Sequence, residues 1–272
     1  NRGVSEEFIG LDFQHRQVYA PSIRAPFYMT SRKYGVYAET EAMGYYRIGE
    51  SGSTGFTFQK PSLTYHIIYG PTYKDILGTY NEMAGPPYMP PTWAFSTIWW
   101  RNDHHEIPPQ LQDEVDNGQE LLLRDARMLQ QNQIPASTMW IDRPFTTGEW
   151  GWGGRRFDGA FPEPDAMVRE LKDRYGMNLL YWITNRWAGE MKEERLERGY
   201  LFDEYTDHPA ADLRREPVRD WITEYLNDLM GEAMMRGGTS GVKGYKIDRG
   251  GEGEMPDSLI NKQVTLFNRL AH

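Results

Sequence analysis

The chain has 272 residues and no cysteine, and 39% of its residues are hydrophobic and 14% aromatic. This length suggests one large domain or two modest ones, since domains commonly hold roughly 100–200 residues. The absence of cysteine excludes disulfides and thiolate metal sites. The net charge of −9 argues against a nucleic-acid partner, because phosphate binding requires clustered lysine and arginine.

The sequence contains no apolar run of about 18 residues, so it predicts neither a membrane-spanning helix nor a membrane partner. No secretory signal stands at the start. The chain begins at Asn1 rather than at a methionine, so we expect the natural start to lie upstream. The compartment, whether cytoplasmic, periplasmic or secreted, is left open, and so is the oligomeric state.

Residues 1–68 are typical of β-structure, and we expect them to form part of a β-sandwich. Short apolar and aromatic runs at 26–29, 34–37, 56–58 and 63–69 are separated by turn residues. The turn-rich stretch 49–55 predicts a hairpin connection.

Residues 69–92 predict a connecting segment. Thr72 can cap a short helix whose apolar stripe is Ile76, Leu77 and Tyr80. The stretch 85–91 ends that helix with four prolines.

From residue 93 to residue 272 the pattern changes to strands that alternate with helices, which predicts an α/β fold with a parallel sheet. The apolar run 93–100 predicts a strand buried on both faces. Further strands are expected at 138–141, 178–184 and 244–248, and helices at 120–131, 164–175 and 218–235.

Each predicted strand ends on polar or charged residues beside an aromatic one, and barrel enzymes place their active sites at these strand ends. Charged groups can hold sugar hydroxyls and aromatic faces can stack on a sugar ring, so a carbohydrate site is predicted. Its candidate residues are Trp100, Arg101, Asp142, Trp182, Asn185, Trp187, Lys246, Asp248 and Arg249.

Asp248 is the sharpest candidate, because it follows a short apolar strand and precedes two glycines that leave room for a ligand. A retaining glycosidase needs a carboxylate that attacks the anomeric carbon and a second carboxylic acid ~5–5.5 Å away. Lys246 and Arg249 would keep the Asp248 carboxylate ionised. The alternative is that Asp248 caps the following turn.

Asp142 is predicted to hydrogen-bond sugar hydroxyls, and the alternative is a salt bridge to Arg143 or Arg101. Arg101, Asn185 and Trp187 either line the pocket or have a core or surface role.

No metal or cofactor is predicted. His104 and His105 are accompanied by Asp103 and Glu106, but adjacent strand residues point to opposite sides and rarely ligate one ion together. The glycine-rich stretch 148–154 lacks the Lys-Ser or Lys-Thr of a phosphate-binding loop.

Several segments, in the same order along the chain, resemble glycoside hydrolase family 31. The most specific is the junction at 69–77 (YGPTYKDIL) and 85–94 (GPPYMPPTWA). Residues 26–35, 140–142, 157–164 and 241–248 (GVKGYKID) are similar to further segments of that family. The resemblance implies a retaining α-glycosidase with Asp248 as nucleophile, built from part of an N-terminal β-sandwich and the first half of a (β/α)8 barrel.

The chain departs from the family pattern at two positions. Asp142 matches the first acidic residue of a sugar-binding motif, but Pro144 stands where many members have a second aspartate. Arg249 replaces a small or apolar residue and could favour an anionic sugar. The pattern Lys246-x-Asp248 is also similar to related α-galactosidase families, so glucosides, xylosides and galactosides all stay open.

The family's acid/base aspartate lies on a later barrel strand, so we expect this chain to be a fragment with little activity alone. Glu252 and Glu254 are nearby carboxylates, but neither is assigned the acid role. Two other readings stay open: a carbohydrate-binding relative without turnover, and an α-glucan-lyase-like enzyme that eliminates instead of adding water.

Overall fold

The computed structural model describes residues 4–7, 25–50, 52–101, 103–146, 154, 157–204, 207–233, 242–248 and 254–272. The chain divides into two compact units. The first unit is Asn1–Met89 with Gly251–Lys262, and the second unit is Pro90–Gly250 with Gln263–His272.

The first unit contains two antiparallel sheets of three strands each. One sheet has the order β2-β3-β6 and consists of Phe27–Met29, Tyr34–Ala38 and Tyr65–Tyr69. The other has the order β1-β4-β5 and consists of Val4–Glu7, Gly44–Glu50 and Ser53–Phe58. Strands β4 and β5 form the predicted hairpin, with Gly52 in the left-handed region at φ 77°.

The two sheets of the first unit pack face to face through aromatic side chains. Ala38 of one sheet and Tyr46 and Phe58 of the other are buried in one cluster. The ring of Tyr46 meets the ring of Tyr28 edge-on at 5.4 Å, so aromatic contacts join the sheets.

Helix α1 (Tyr73–Ala84) packs on the sheet of β2, β3 and β6. Thr72 caps it as predicted, in a capping box with Asp75. Ile76 is fully buried, and Tyr80 stacks on Phe27 with ring centroids 4.1 Å apart. Leu77 was predicted to share this apolar stripe, but its side chain is 43% exposed. Ile76 and Tyr80 are four residues apart and face the sheet, whereas the position after Ile76 points away from it.

The second unit is built on a parallel sheet of the order β10-β9-β8-β7, which confirms the α/β prediction. Its strands are β7 (Ile98–Arg101), β8 (Thr138–Ile141), β9 (Asn178–Ile183) and β10 (Val242–Ile247). The helices that follow are α2 (Gly118–Gln131), α3 (Pro164–Tyr175), α4 (Gly189–Glu197), α5 (Glu216–Ala233) and α6 (Ile260–Ala271).

The prediction of one doubly buried strand at 93–100 is wrong. Thr92–Phe95 forms a single 3-10 turn, and only Ile98–Arg101 is a strand. Among the described residues β7 pairs with β8, and the Trp100 side chain is 45% exposed, so its indole is accessible.

Alternation along the strands separates the two faces of the parallel sheet. Met139 and Ile141 of β8 lie level with Leu179 and Tyr181 of β9, and all four are fully buried in the core that helices α2, α3 and α5 complete. The intervening residues point to the opposite face. None of the helices described in the structure has both the length and the apolarity to cross a membrane.

The first prediction concerns α1. Ile76→Ala should lower the free energy of unfolding by about 2–5 kcal/mol, because it deletes fully buried methyl and methylene groups. Leu77→Ala, one residue along the same helix, is the matched control and should cost much less. Urea unfolding of both variants checks this, and equal losses would show that Ile76 does not anchor the helix.

The loop after β7 buries His104 completely. Burial lowers the pKa of His104 to about 4; the nearby Asp125 and Asp103 oppose this shift, and Arg101 and His105 add to it. Neither ring nitrogen has a hydrogen-bond partner within the described part of the chain. The folded state therefore holds a neutral imidazole.

The second prediction follows from that imidazole. Because the pKa of folded His104 lies below the ordinary value of 6.5, the unfolded chain binds more protons. The stability that the neutral ring contributes is fully present above pH 6.5 and is lost as the pH falls toward 4, by about 3 kcal/mol. Urea unfolding between pH 7 and pH 4 should show a weaker pH dependence for His104→Gln than for the His272→Gln control. Identical slopes would contradict the assignment.

Candidate active site

A cavity of about 510 Å³ lies at the carboxyl ends of β7, β8 and β10. This volume falls within the ~300–1,000 Å³ of small-molecule sites. Parallel pairing brings these strand ends to one edge of the sheet, so residues distant in sequence meet there. The lining residues are Trp100, Asp103, Trp140, Asp142, Arg143, Pro144, Lys246 and Asp248.

Strand register places aromatic rings along the cavity wall. Trp100 lies level with Trp140 on the neighbouring strand, and their indoles stack with centroids 5.2 Å apart and planes inclined by 18°. The Lys246 ammonium lies 5.0 Å from the Trp140 ring and 5.8 Å from the Trp182 ring. Indole faces attract a cation, so the rings hold the lysine head at the cavity.

Asp248 directly follows β10, and one oxygen of its carboxylate interacts with two donors. Its Oδ2 accepts a hydrogen bond from Trp182 Nε1 at 3.0 Å and lies 2.6 Å from Lys246 Nζ. Its backbone N–H donates to the Ile183 carbonyl at 3.0 Å, which extends the pairing of β10 with β9 by one residue. Lys246 and Asp248 share a face because they are two residues apart on an extended chain. The predicted partner Lys246 therefore does meet the Asp248 carboxylate.

Asp142 directly follows β8 and is only 8% exposed. Its Oδ2 accepts from Trp100 Nε1 at 2.9 Å, and its Oδ1 accepts from the Arg143 backbone N–H at 2.8 Å. Burial raises the pKa of Asp142; the Arg143 N–H, Lys246 and Trp100 oppose this shift, and the charge of Asp248 adds to it. The Asp142 carboxyl is thus oriented by the Trp100 indole and the Arg143 backbone N–H. The alternative prediction, a salt bridge from Asp142 to the side chain of Arg143 or Arg101, is not among its described interactions.

Three predicted pocket residues lie outside the cavity. Arg101 points to the helix layer, where its guanidinium binds Asp125 through two hydrogen bonds of 2.8 and 2.7 Å. Asn185 is buried and exchanges two hydrogen bonds of 3.3 Å with the Ala211 backbone. Trp187 is buried and packs on aromatic rings of α5. Arg101 points away from the cavity, although its neighbour Trp100 lines it, because adjacent residues of a strand point to opposite faces.

Two further predicted site residues are Trp182 and Arg249. Trp182 is 1% exposed and reaches the cavity only through the indole N–H that it gives to Asp248. Arg249 lies outside the described residues, and so does Glu252.

The structure adds cavity residues that the sequence prediction omitted. Trp140 could have been found from strand register, because it is the same-face neighbour of Trp100. Asp103 and Arg143 follow the ends of β7 and β8 by two residues, where loop geometry decides direction. Within the described ranges, no group of three or more potential ligands is placed to hold a metal ion.

The arrangement suits a polyhydroxylated ring. Stacked indoles offer an apolar face, and carboxylates offer acceptors for hydroxyl groups. Asp248, with its cationic neighbour Lys246, is a carboxylate within reach of a ligand in the same cavity.

Comparison with known proteins adds sequence relatives and structural neighbours. The chain is 27% identical over 181 residues to the α-xylosidase XylQ of Lactiplantibacillus pentosus, a match that covers 65% of this chain and 22% of the relative. The chain therefore spans about a fifth of the length of that relative.

Two solved structures have the same fold. An α-xylosidase of family GH31 from a soil metagenome, complexed with xylose, superposes with a TM-score of 0.75 at 19% identity, over 99% of this chain and 39% of that one. A cycloalternan-degrading enzyme from Trueperella pyogenes, in complex with a covalent intermediate, gives 0.69 at 19% identity, over 99% and 42%. The model of the glycosyl hydrolases family 31 TIM-barrel domain matches residues 87–266, so the chain belongs to glycosyl hydrolases family 31.

Proposed function

We propose that this chain supplies the nucleophile and part of the sugar-binding pocket of a retaining α-glycosidase. The observation that carries the proposal is the Asp248 carboxylate, which lines a sugar-sized cavity and is held by Lys246 and by the indole of Trp182. Membership of family 31 supports the reaction class.

The proposed reaction has two steps. The Asp248 carboxylate attacks the anomeric carbon with inversion, a C–O bond to the sugar forms, and the bond to the leaving oxygen breaks as a carboxylic acid protonates that oxygen. Water then attacks the same carbon with a second inversion and releases the aspartate.

The acid is proposed to lie outside this chain, on a later barrel strand. The chain spans about a fifth of the length of XylQ, in agreement with a site completed by further residues. Alone, the chain should therefore act poorly on glycosides whose leaving group needs a proton.

The proposed substrates are terminal α-linked glycosides, with α-xylosides and α-glucosides to be tested first and α-galactosides next. The relative XylQ and one structural neighbour are α-xylosidases, and that neighbour carries xylose. The covalent intermediate of another neighbour supports a retaining mechanism.

A finer architecture belongs to the same proposal. The two antiparallel sheets of the first unit would be part of the family's β-sandwich. The four parallel strands of the second unit would be the first half of its (β/α)8 barrel. Superposition over 99% of the chain supports both.

The third prediction tests the nucleophile with a 5-fluoro-α-xylosyl or 5-fluoro-α-glucosyl fluoride. Fluoride leaves without protonation, so the missing acid is not needed. Mass spectrometry should find one fluoroglycosyl group esterified to Asp248 in the wild-type chain and none in Asp248→Asn, with Asp220→Asn as an exposed control.

Four outcomes would redirect the assignment. Labelling of another residue, or labelling of Asp248→Asn, would remove Asp248 as nucleophile. Sugar binding without any labelling would favour a carbohydrate-binding relative, and an unsaturated or anhydro sugar product would favour a lyase.

The fourth prediction concerns Lys246. Lys246→Met should slow labelling by about 10–100-fold, the size of one hydrogen bond to a charged group. Lys246→Arg should restore part of the rate, because it keeps the cation beside the Asp248 carboxylate. The exposed Lys172→Met is the control. An unchanged labelling rate in Lys246→Met would exclude this role.

A further inference from the structure

Asp103 lines the cavity from the loop after β7. Along the chain it is near only those predicted site residues that belong to the end of β7. We propose that Asp103 is a substrate-recognition residue that binds two adjacent hydroxyl groups of a neutral sugar. The inference rests on the proposed glycosidase function and deepens it by assigning a specificity role to an additional side chain.

The Asp103 carboxylate is oriented before any ligand binds. Its Oδ1 accepts a hydrogen bond of 2.7 Å from the backbone N–H of His105. The same loop is anchored by the fully buried His104 and by a contact of 2.9 Å between His105 Nε2 and Asp158 Oδ2. A carboxylate placed by a fixed loop loses little conformational entropy when it binds a ligand.

Most of the acceptor capacity of this carboxylate remains available. An ionised carboxylate offers about four acceptor positions, and the His105 N–H takes one. Among the described residues, Asp103 forms no ion pair. The cationic head of Lys246 is 2.6 Å from Asp248 instead.

The charges of the cavity favour a neutral polyol as the ligand of Asp103. Three carboxylates, of Asp103, Asp142 and Asp248, line the cavity together with two cations, Lys246 and Arg143. Lys246 is already paired with Asp248, so the cavity has no surplus of positive charge for an anionic group. Two adjacent hydroxyls can donate to the two oxygens of one carboxylate, whereas the side chain of Pro144 on the same wall has no hydrogen-bonding atom. The stacked indoles of Trp100 and Trp140 suit the C–H face of the same ring.

The variant Asp103→Asn distinguishes a role of this side chain in sugar recognition from a role in holding the loop. Asp103→Asn keeps an oxygen that can accept from the His105 N–H, so the turn can persist. It loses the charge and one acceptor oxygen, so two hydroxyls can no longer both donate to this side chain, and the contact loses its charge assistance.

The experiment measures binding of free xylose, free glucose and their single-deoxy analogues to the 272-residue chain by tryptophan fluorescence. Asp103→Asn should weaken binding of the complete sugar by about 10–100-fold, since charged hydrogen bonds are lost. For the deoxy analogue that lacks a contacting hydroxyl, Asp103→Asn and wild type should bind more nearly alike. Asp113→Asn, an exposed aspartate of the same unit, should bind like wild type.

The inference is overturned by equal binding of the complete sugar by wild type and Asp103→Asn, by an equal loss for every analogue, or by no sugar binding by wild type. A preference of wild type for amino sugars that Asp103→Asn abolishes would also overturn it, in favour of a cationic ligand.

Labelling by the glycosyl fluoride keeps this inference separable from the proposed function. Normal labelling of Asp248 together with unimpaired Asp103→Asn binding contradicts the role of Asp103 alone. Selective loss of binding in Asp103→Asn supports that role even if Asp248 is never labelled, in which case only the nucleophile fails.

Discussion

The register of the parallel sheet is the constraint on which the candidate site depends. Because β7, β8, β9 and β10 pair in parallel, their carboxyl ends meet at one edge, and alternation sends every second side chain to the same face. That face carries Trp100, Trp140, Trp182 and Lys246, while the opposite face is buried under helices. A shift of one residue in β10 would turn Lys246 away and separate it from the indoles.

Electrostatics then distinguishes the two strand-end aspartates. Asp248 has an ammonium at 2.6 Å, and this cation favours its ionised form. Asp142 is more deeply buried, and desolvation raises its pKa although two hydrogen-bond donors oppose the shift. Similar residues at similar strand positions therefore suit different roles, one as a proposed nucleophile and the other as a proposed hydroxyl-binding group.

Much of the architecture could be predicted because it rests on local patterns. The cap at Thr72, the helix Pro164–Tyr175 and the strand Thr138–Ile141 follow from capping chemistry and periodicity. The bounds of β7 could not be predicted, since the apolar run 93–100 has the same composition whether it forms one long strand or a 3-10 turn followed by a short strand. Arg101 and Asn185 were placed in the pocket from their position alone, but their partners Asp125 and Ala211 are distant in sequence.

The sequence by itself determined the α/β class and the resemblance to family 31, and it singled out Asp248 as the proposed nucleophile, because these depend on motifs and on the order of strands and helices. Only the tertiary structure decided which side chains share the cavity, since that depends on register between strands and on loop direction. It brought Lys246 and Trp182 to Asp248, added Asp103 and Trp140 to the cavity, and sent Arg101 to the helix layer. The physical reason is that a carboxylate or an indole acquires its role from neighbours that the chain contributes from distant positions.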